Sequence, residues 1–228
     1  MIQHVHERAS RARSLDRLLV ATDDERIAAV VRGFGGEVAM TSASHESGTD
    51  RLAEVVRERE ARLVVNVQGD EPLLDPSAID VAVAALEGEP QAEMATLSTP
   101  LLDAEEMMSP AVVKVVVDAA GHALYFSRSP IPHVRACAGA LAAAEAAVAG
   151  GLARKHVGLY VYRREALLRF ASLPPSPLEK AEGLEQLRAL HHGMRIKVAS
   201  LPAGAGAVAV DTPEDLERVR ALLAVSRG

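Results

Sequence analysis

Apolar and polar positions along this chain fall into blocks that switch between two periods. The short, mostly apolar runs "LLVAT" (18–22), "EVAMT" (37–41) and "RLVVNVQ" (62–68) predict strands. Between them lie stretches of helical period: residues 1–13, "TDDERIAAVVRGFGG" from Thr22, and "DRLAEVVRERE" from Asp50. Thr22 followed by Glu25 predicts a capping box at the second of these helices, and Gly35-Gly36 predicts its end. Asp75 and Pro76 predict the cap and first turn of "DPSAIDVAVAALEG". Apolar strands alternating with helices imply an α/β protein whose sheet is mostly parallel, with helices on both faces.

The rhythm changes after residue 90. "EMATLSTPL" predicts a strand, and "VVKVVVD-AAG-HALYFSR" predicts a hairpin across a tight glycine turn. Residues 136–153 are nearly all Ala and Gly and fit a helix, a disordered stretch or a small-residue contact surface. "RKHVGLYVYR" predicts another strand, "LEKAEGLEQLRALHHG" one helix, and "MRIKVASL" with "AVAV" the closing strands before the last helix, "TPEDLERVRALLAV". The expected build is a single domain over 1–228 with a smaller, mostly β insertion at about 93–165.

Composition narrows the chemistry. The chain is 49% hydrophobic but 3% aromatic and has no Trp, so its core must be aliphatic and Ala-rich. Its 25 basic and 31 acidic residues give a net charge of −6, with no basic cluster dense enough for a nucleic-acid face. One cysteine, Cys137, excludes an internal disulfide and fits a reducing cytoplasm. Neither a membrane span nor the apolar core of a signal peptide is seen in the sequence. The scattered histidines lack the spacing of a helical metal pair.

Acids at helix starts are usually caps, and Asp23 and Asp24 read as structural for that reason. Asp211 does not, because in "VAVDTPEDL" Thr212 is the natural cap, Pro213 the first helical residue and Asp215 the partner in the box. Asp70, in "VVNVQGDEP", stands beyond a strand and ahead of the next helix's own cap. Ligands of open α/β sheets bind off the carboxyl ends of strands, so these two aspartates could hold magnesium; they could also be structural. Glu179, Glu182 and Gln186, at i, i+3 and i+7, would share one helix face. That face is either a solvated stripe or a row of acceptors for sugar hydroxyls.

The motifs "VATDDERI", "HESGTDRLAE", "VNVQGDEPLL", "KVVVDAAGHALYFSR", "RKHVGLYVYR", "PPSPLEKAEGLEQLR" and "VDTPEDLERVR" occur in this order. Together they resemble the 3-deoxy-manno-octulosonate (Kdo) cytidylyltransferase family, from the first residue almost to the last. The resemblance implies a Rossmann-like nucleotidyltransferase fold and a cytoplasmic, magnesium-dependent homodimer. It implies transfer of CMP from CTP to Kdo for lipopolysaccharide synthesis, with no nucleic acid or membrane as partner. By the same resemblance Asp70 and Asp211 would hold Mg²⁺ on the nucleotide phosphates and act as the catalytic pair. Ser47, Gly48, Arg51 and Gln68 would contact the nucleotide. Arg128 would take the sugar carboxylate, and His156, Tyr160, Glu179, Glu182 and Gln186 would line the sugar pocket. Glu71 and Pro72 would shape the turn after Asp70.

Two alternatives share much of this pattern: a cytidylyltransferase for another acid sugar, such as sialic acid or an amino-Kdo, and an inactive, truncated remnant. Family members begin with a strand and a loop of the type "P-A-R-x-x-S-x-R-L-P-G-K-P", whose Arg and Lys clamp the triphosphate. The present sequence begins at the first helix. The expectation is therefore an unfilled slot between the strands at 18–22 and 62–68, with residues 1–228 alone unstable and nearly inactive.

Overall fold

The computed structural model describes residues 1–45, 47–203, 205, 210 and 212–225. Its first half runs α1 (Ile2–Ala9), β1 (Leu19–Thr22), α2 (Glu25–Gly33), β2 (Glu37–Met40), α3 (Gly48–Arg57), β3 (Leu63–Asn66), α4 (Pro76–Glu87) and β4 (Met94–Pro100). Then follow α5 (Ala104–Met108), β5 (Lys114–Val117), β6 (Ala123–Ser127), α6 (Ala140–Ala149) and β7 (Arg154–Arg163). The chain continues through α7 (Arg164–Ser172), α8 (Pro177–Glu182), α9 (Gln186–His191), β8 (Ile196–Ser200) and α10 (Pro213–Val225).

The central sheet is built around β7, which pairs antiparallel with β3, β4 and β5. Only β4–β8 and β1–β2 are parallel among the described pairings, so the sheet is mixed where the apolar strands predict a mostly parallel one. A strand buried on both faces looks alike in either direction, which is why composition does not distinguish the two. Strands β4 and β7, expected at the two ends of an insertion, lie next to each other in the middle of this sheet. β1 and β2 form a separate two-stranded sheet, and β1 and β3 share no ladder.

Alternate residues of each central strand feed two cores. On β4, Met94 joins a cluster with α3, α7 and α9, while Ala95 and Leu97 join one with α1 and α4. Small residues allow the close approach: Ala9, Ala78, Ala82, Ala92 and Ala95 are all buried in the second cluster. Arg163, at the end of β7, donates to the carbonyls of Leu86, Glu89 and Ala92 and so satisfies acceptors around the carboxyl end of α4.

Several helix ends differ from the sequence reading. Asp24, not Thr22, caps α2 by accepting from the Arg26 amide. Thr22 is the last paired residue of β1, opposite Met40, and its hydroxyl accepts from the Asp24 amide at 3.1 Å. Helix α3 starts at Gly48, earlier than the apolar period suggests, because Ser47 accepts from the Asp50 amide. Asp75 caps α4 with Pro76 in its first turn, and Thr212 with Asp215 forms the expected box before α10. The predicted single helix over "LEKAEGLEQLRALHHG" is two. Gly183 adopts φ 61°, a left-handed cap that favours glycine, and α9 sets off anew from Glu185. In the Ala-rich stretch, residues 140–149 form α6.

Candidate active site

Four of the chain's six Phe and Tyr residues are gathered along β7 and its neighbours. Phe126, His156, Tyr160, Tyr162 and Phe170 follow one another with ring centroids 5.1, 5.5, 6.0 and 6.2 Å apart. The pairing of β4 with β7 shifts between Thr96 and Leu97, whose partners are Tyr160 and Val157. Because that offset is two residues, the faces keep their parity: Val157, Leu159 and Val161 stay in the core against α4. Gly158, Tyr160 and Tyr162 face a cavity of about 450 Å³. His156 is not among the lining residues; it packs against Tyr160, its Nε2 at 2.9 Å from the Thr96 hydroxyl, and burial pushes its pKa down to about 4. Burial likewise raises the Tyr160 and Tyr162 phenols, with Tyr162 and Glu185 adding to the effect on Tyr160.

The segment after β3, the strand paired beside β7, adds Gln68, Asp70 and Glu71 to the lining. The Asp70 carbonyl accepts from the Val210 amide at 3.0 Å, so the chain at 210 runs directly beside Asp70. Asp211 itself lies outside the described residues. Glu71 is buried and its Oε2 has no hydrogen-bond partner among the described residues. Burial, helped by the neighbouring Asp70 carboxylate, pushes its pKa up to about 7.

Arg128 reaches the cavity from the end of β6. Its Nε donates to the Glu182 carbonyl at 2.8 Å and its Nη1 to the Pro110 carbonyl at 3.0 Å. Glu182 accepts from the Ser127 hydroxyl at 2.7 Å and from the Arg128 amide at 2.9 Å. Burial opposes ionisation of Glu182, but those bonds outweigh it and hold its carboxyl low. Beneath them Lys114 is fully buried, and its ammonium donates to the carbonyls of Ser109, Val112 and Arg128. Its pKa is lowered by burial.

The break at Gly183 sends the three residues of the expected acceptor row to different tasks. Glu179 closes the capping box with Ser176 and pairs with Arg188 at 2.5 Å. Glu182 holds the β6 end, and of the three only Gln186 lines the cavity. Glu185 lines it as well, its Oε2 accepting from the Thr49 hydroxyl at 2.6 Å while its Oε1 has no partner among the described residues. On the α3 side, Ser47 serves as helix cap and Gly48 opens the helix, exposed. Arg51 donates to Thr41 and pairs with Asp23 at 3.2 Å.

Gln68, Asp70, Arg128, Tyr160 and Gln186 thus share one cavity, whereas His156, expected in its lining, only packs against Tyr160 from outside it. Sequence reasoning gave Glu71 only a turn role and passed over Glu185, Tyr162, Gly158 and Thr49. Tyr162 was legible, since it follows Tyr160 by two on a strand and must share its face. Glu185 was hidden by the assumption of one unbroken helix, which turned it away from Gln186's neighbours.

The cytidylyltransferase family model matches residues 1–196. The 3-deoxy-manno-octulosonate cytidylyltransferase of Syntrophotalea carbinolica is 57% identical over 98% of this chain and 88% of that protein. The protein of the same name from Geobacter sulfurreducens is 53% identical over 96% and 87%. A solved CMP:2-keto-3-deoxy-manno-octonic acid synthetase, complexed with CTP, superposes with a TM-score of 0.88 at 42% identity, covering 99% of this chain and 88% of that one. A 4-diphosphocytidyl-2C-methyl-D-erythritol synthase, at 14% identity and a TM-score of 0.59, shares the fold alone.

Proposed function

Since the chain belongs to the cytidylyltransferase family, we propose that it transfers the cytidylyl group of CTP to the anomeric hydroxyl of Kdo. The observation that supports this most directly is the single cavity that combines Asp70 and Gln68 with Arg128, Tyr160 and Gln186. In the reaction the sugar hydroxyl gives up its proton to solvent, its oxygen bonds to the α-phosphorus as the bond to the β-phosphate breaks, and pyrophosphate leaves. Such a transfer depends mostly on placement of the reactants and neutralisation of developing charge.

Arg128 suits the sugar carboxylate. Carbonyls hold its Nε and Nη1, and no described residue bonds Nη2, which leaves that nitrogen to donate to a carboxylate. Gln186 and Tyr160 supply neutral donors and acceptors for hydroxyls. The nucleotide would lie against Gln68 and the Ser47–Gly48 turn, with Arg51 fixed behind it by Asp23.

Asp70 offers hard carboxylate oxygens of the kind magnesium takes, and among the described residues no cluster of three metal-binding side chains surrounds it. Asp70 and Asp211 would hold the ion, and the chain at 210 is tied to Asp70 by a backbone hydrogen bond. When bound, the ion would neutralise phosphate charge. The same reading makes the protein a cytoplasmic homodimer. Leu102, Leu124 and Leu141 are each at least 60% exposed, apolar surface that a second copy would cover.

The test is CTP-dependent pyrophosphate release with magnesium, offering Kdo, an amino-Kdo and sialic acid in parallel. Kdo should give the highest kcat/KM, and Arg128→Ala should raise the KM for Kdo by about tenfold or more while leaving that for CTP within about twofold. A preference for another acid sugar would reassign the substrate, and no turnover with any would leave a binding remnant.

A further inference from the structure

Glu185 faces two ways. One oxygen, Oε2, accepts from the hydroxyl of Thr49, a buried residue in the first turn of α3, 136 positions away in sequence. The other, Oε1, is buried and has no hydrogen-bond partner among the described residues. The nearest cation, Arg188 Nη2, stands 4.0 Å off and is bonded to Glu179 instead. Glu185 lines the same cavity as Tyr160 and Gln186. A buried acceptor without a donor is costly unless a ligand supplies one.

We propose that Thr49 and Glu185 form a bridge through which the nucleotide and sugar sites bind cooperatively. This rests on the functional reading above, which sets the nucleotide against the Ser47–Gly48 turn and the sugar in the cavity. A sugar hydroxyl donates to Glu185 Oε1. Its binding geometry then depends on the carboxylate orientation that Thr49 fixes from the other side. A nucleotide that orders the start of α3 holds Thr49 in place, and with it the acceptor for the sugar. Such linkage is reciprocal, so the sugar must tighten nucleotide binding by the same factor. Thr49 is therefore a positioning residue: it touches neither substrate and acts through Glu185.

The experiment is calorimetric titration of Kdo into the protein with magnesium, with and without the non-cleavable probe α,β-methylene-CTP. The probe should tighten Kdo binding by about tenfold in the unsubstituted protein. In Thr49→Val, which keeps the shape and loses the donor, the factor should fall to about one, and Thr49→Ser should restore it. A Thr49→Val protein that keeps the original factor would overturn the bridge, as would a Thr49→Ser protein that loses it. Should Thr49→Val fail to fold, the Thr49 methyl resonance of the unsubstituted protein decides: Kdo alone must shift it, and an unmoved signal refutes the proposal. Absence of Kdo binding to the unsubstituted protein would sink the functional reading too, whereas binding with a factor indifferent to Thr49 sinks the bridge alone.

Discussion

His156 shows how a single side chain ties the site to the stability of the fold. Its imidazole, packed between Phe126 and Tyr160, is kept neutral by burial, with a pKa of about 4 against 6.5 for the free group. Between those values the unfolded chain takes up a proton that the folded chain refuses. Stability contributed here is whole above pH 6.5 and is lost as pH falls towards 4. Urea unfolding at a series of pH values should therefore show the native protein losing up to about 3 kcal/mol more than His156→Gln across that window. Parallel pH profiles for the two proteins would mean that the ring is not desolvated. At this scale Asp70 was legible because it had no capping task, and Arg128 through the motif around it. Glu71 was not, because a carboxylate next to Asp70 looks like turn chemistry until its burial is known.

At the scale of elements, the break at Gly183 decides which acids meet the cavity. The helical period of "LEKAEGLEQLR" runs unbroken through the glycine, so periodicity alone predicts one face where the fold has two. What ends α8 is the left-handed conformation of Gly183, whose amide bonds back to the Glu179 carbonyl. Nothing lies within 4 Å of where a Cβ would sit, so a substitution there is penalised by backbone conformation and not by a clash. Gly183→Ala should cost about 1–2 kcal/mol in thermal or urea unfolding, and Gly183→Asn clearly less. An equal cost for both would point to packing as the cause. Sequence gave better guidance at helix starts, where Asp75-Pro76 and Thr212-Pro213 stand as local signals, than for pairing directions, which depend on distant strands.

For the whole molecule, the α/β class was legible from the alternation of blocks, while the division of the strands into two sheets was expected only through the family resemblance. The small sheet of β1 and β2 has one ladder, whereas β4 and β7 are paired on both sides. Its strands are also less buried: no residue of β2 is fully buried, against six of the seven in β4. The two sheets should therefore open separately. Amide hydrogen exchange should run at least about tenfold faster in β1 and β2 than in β4 and the centre of β7. Uniform protection across both sheets would show that they unfold as one unit.

Strand β7 also constrains how this protein can change through descent. Its even-numbered residues from Gly158 to Tyr162 face the cavity, and its odd-numbered residues Val157, Leu159 and Val161 fill the core. Gain or loss of one codon within it would exchange the two sets, placing tyrosines in the aliphatic core and valines at the ligand. A change of two codons keeps the faces and displaces only the register, as the offset opposite Thr96 and Leu97 already does. New substrate preferences on this scaffold are thus open to point replacement along β7, or to insertions counted in pairs.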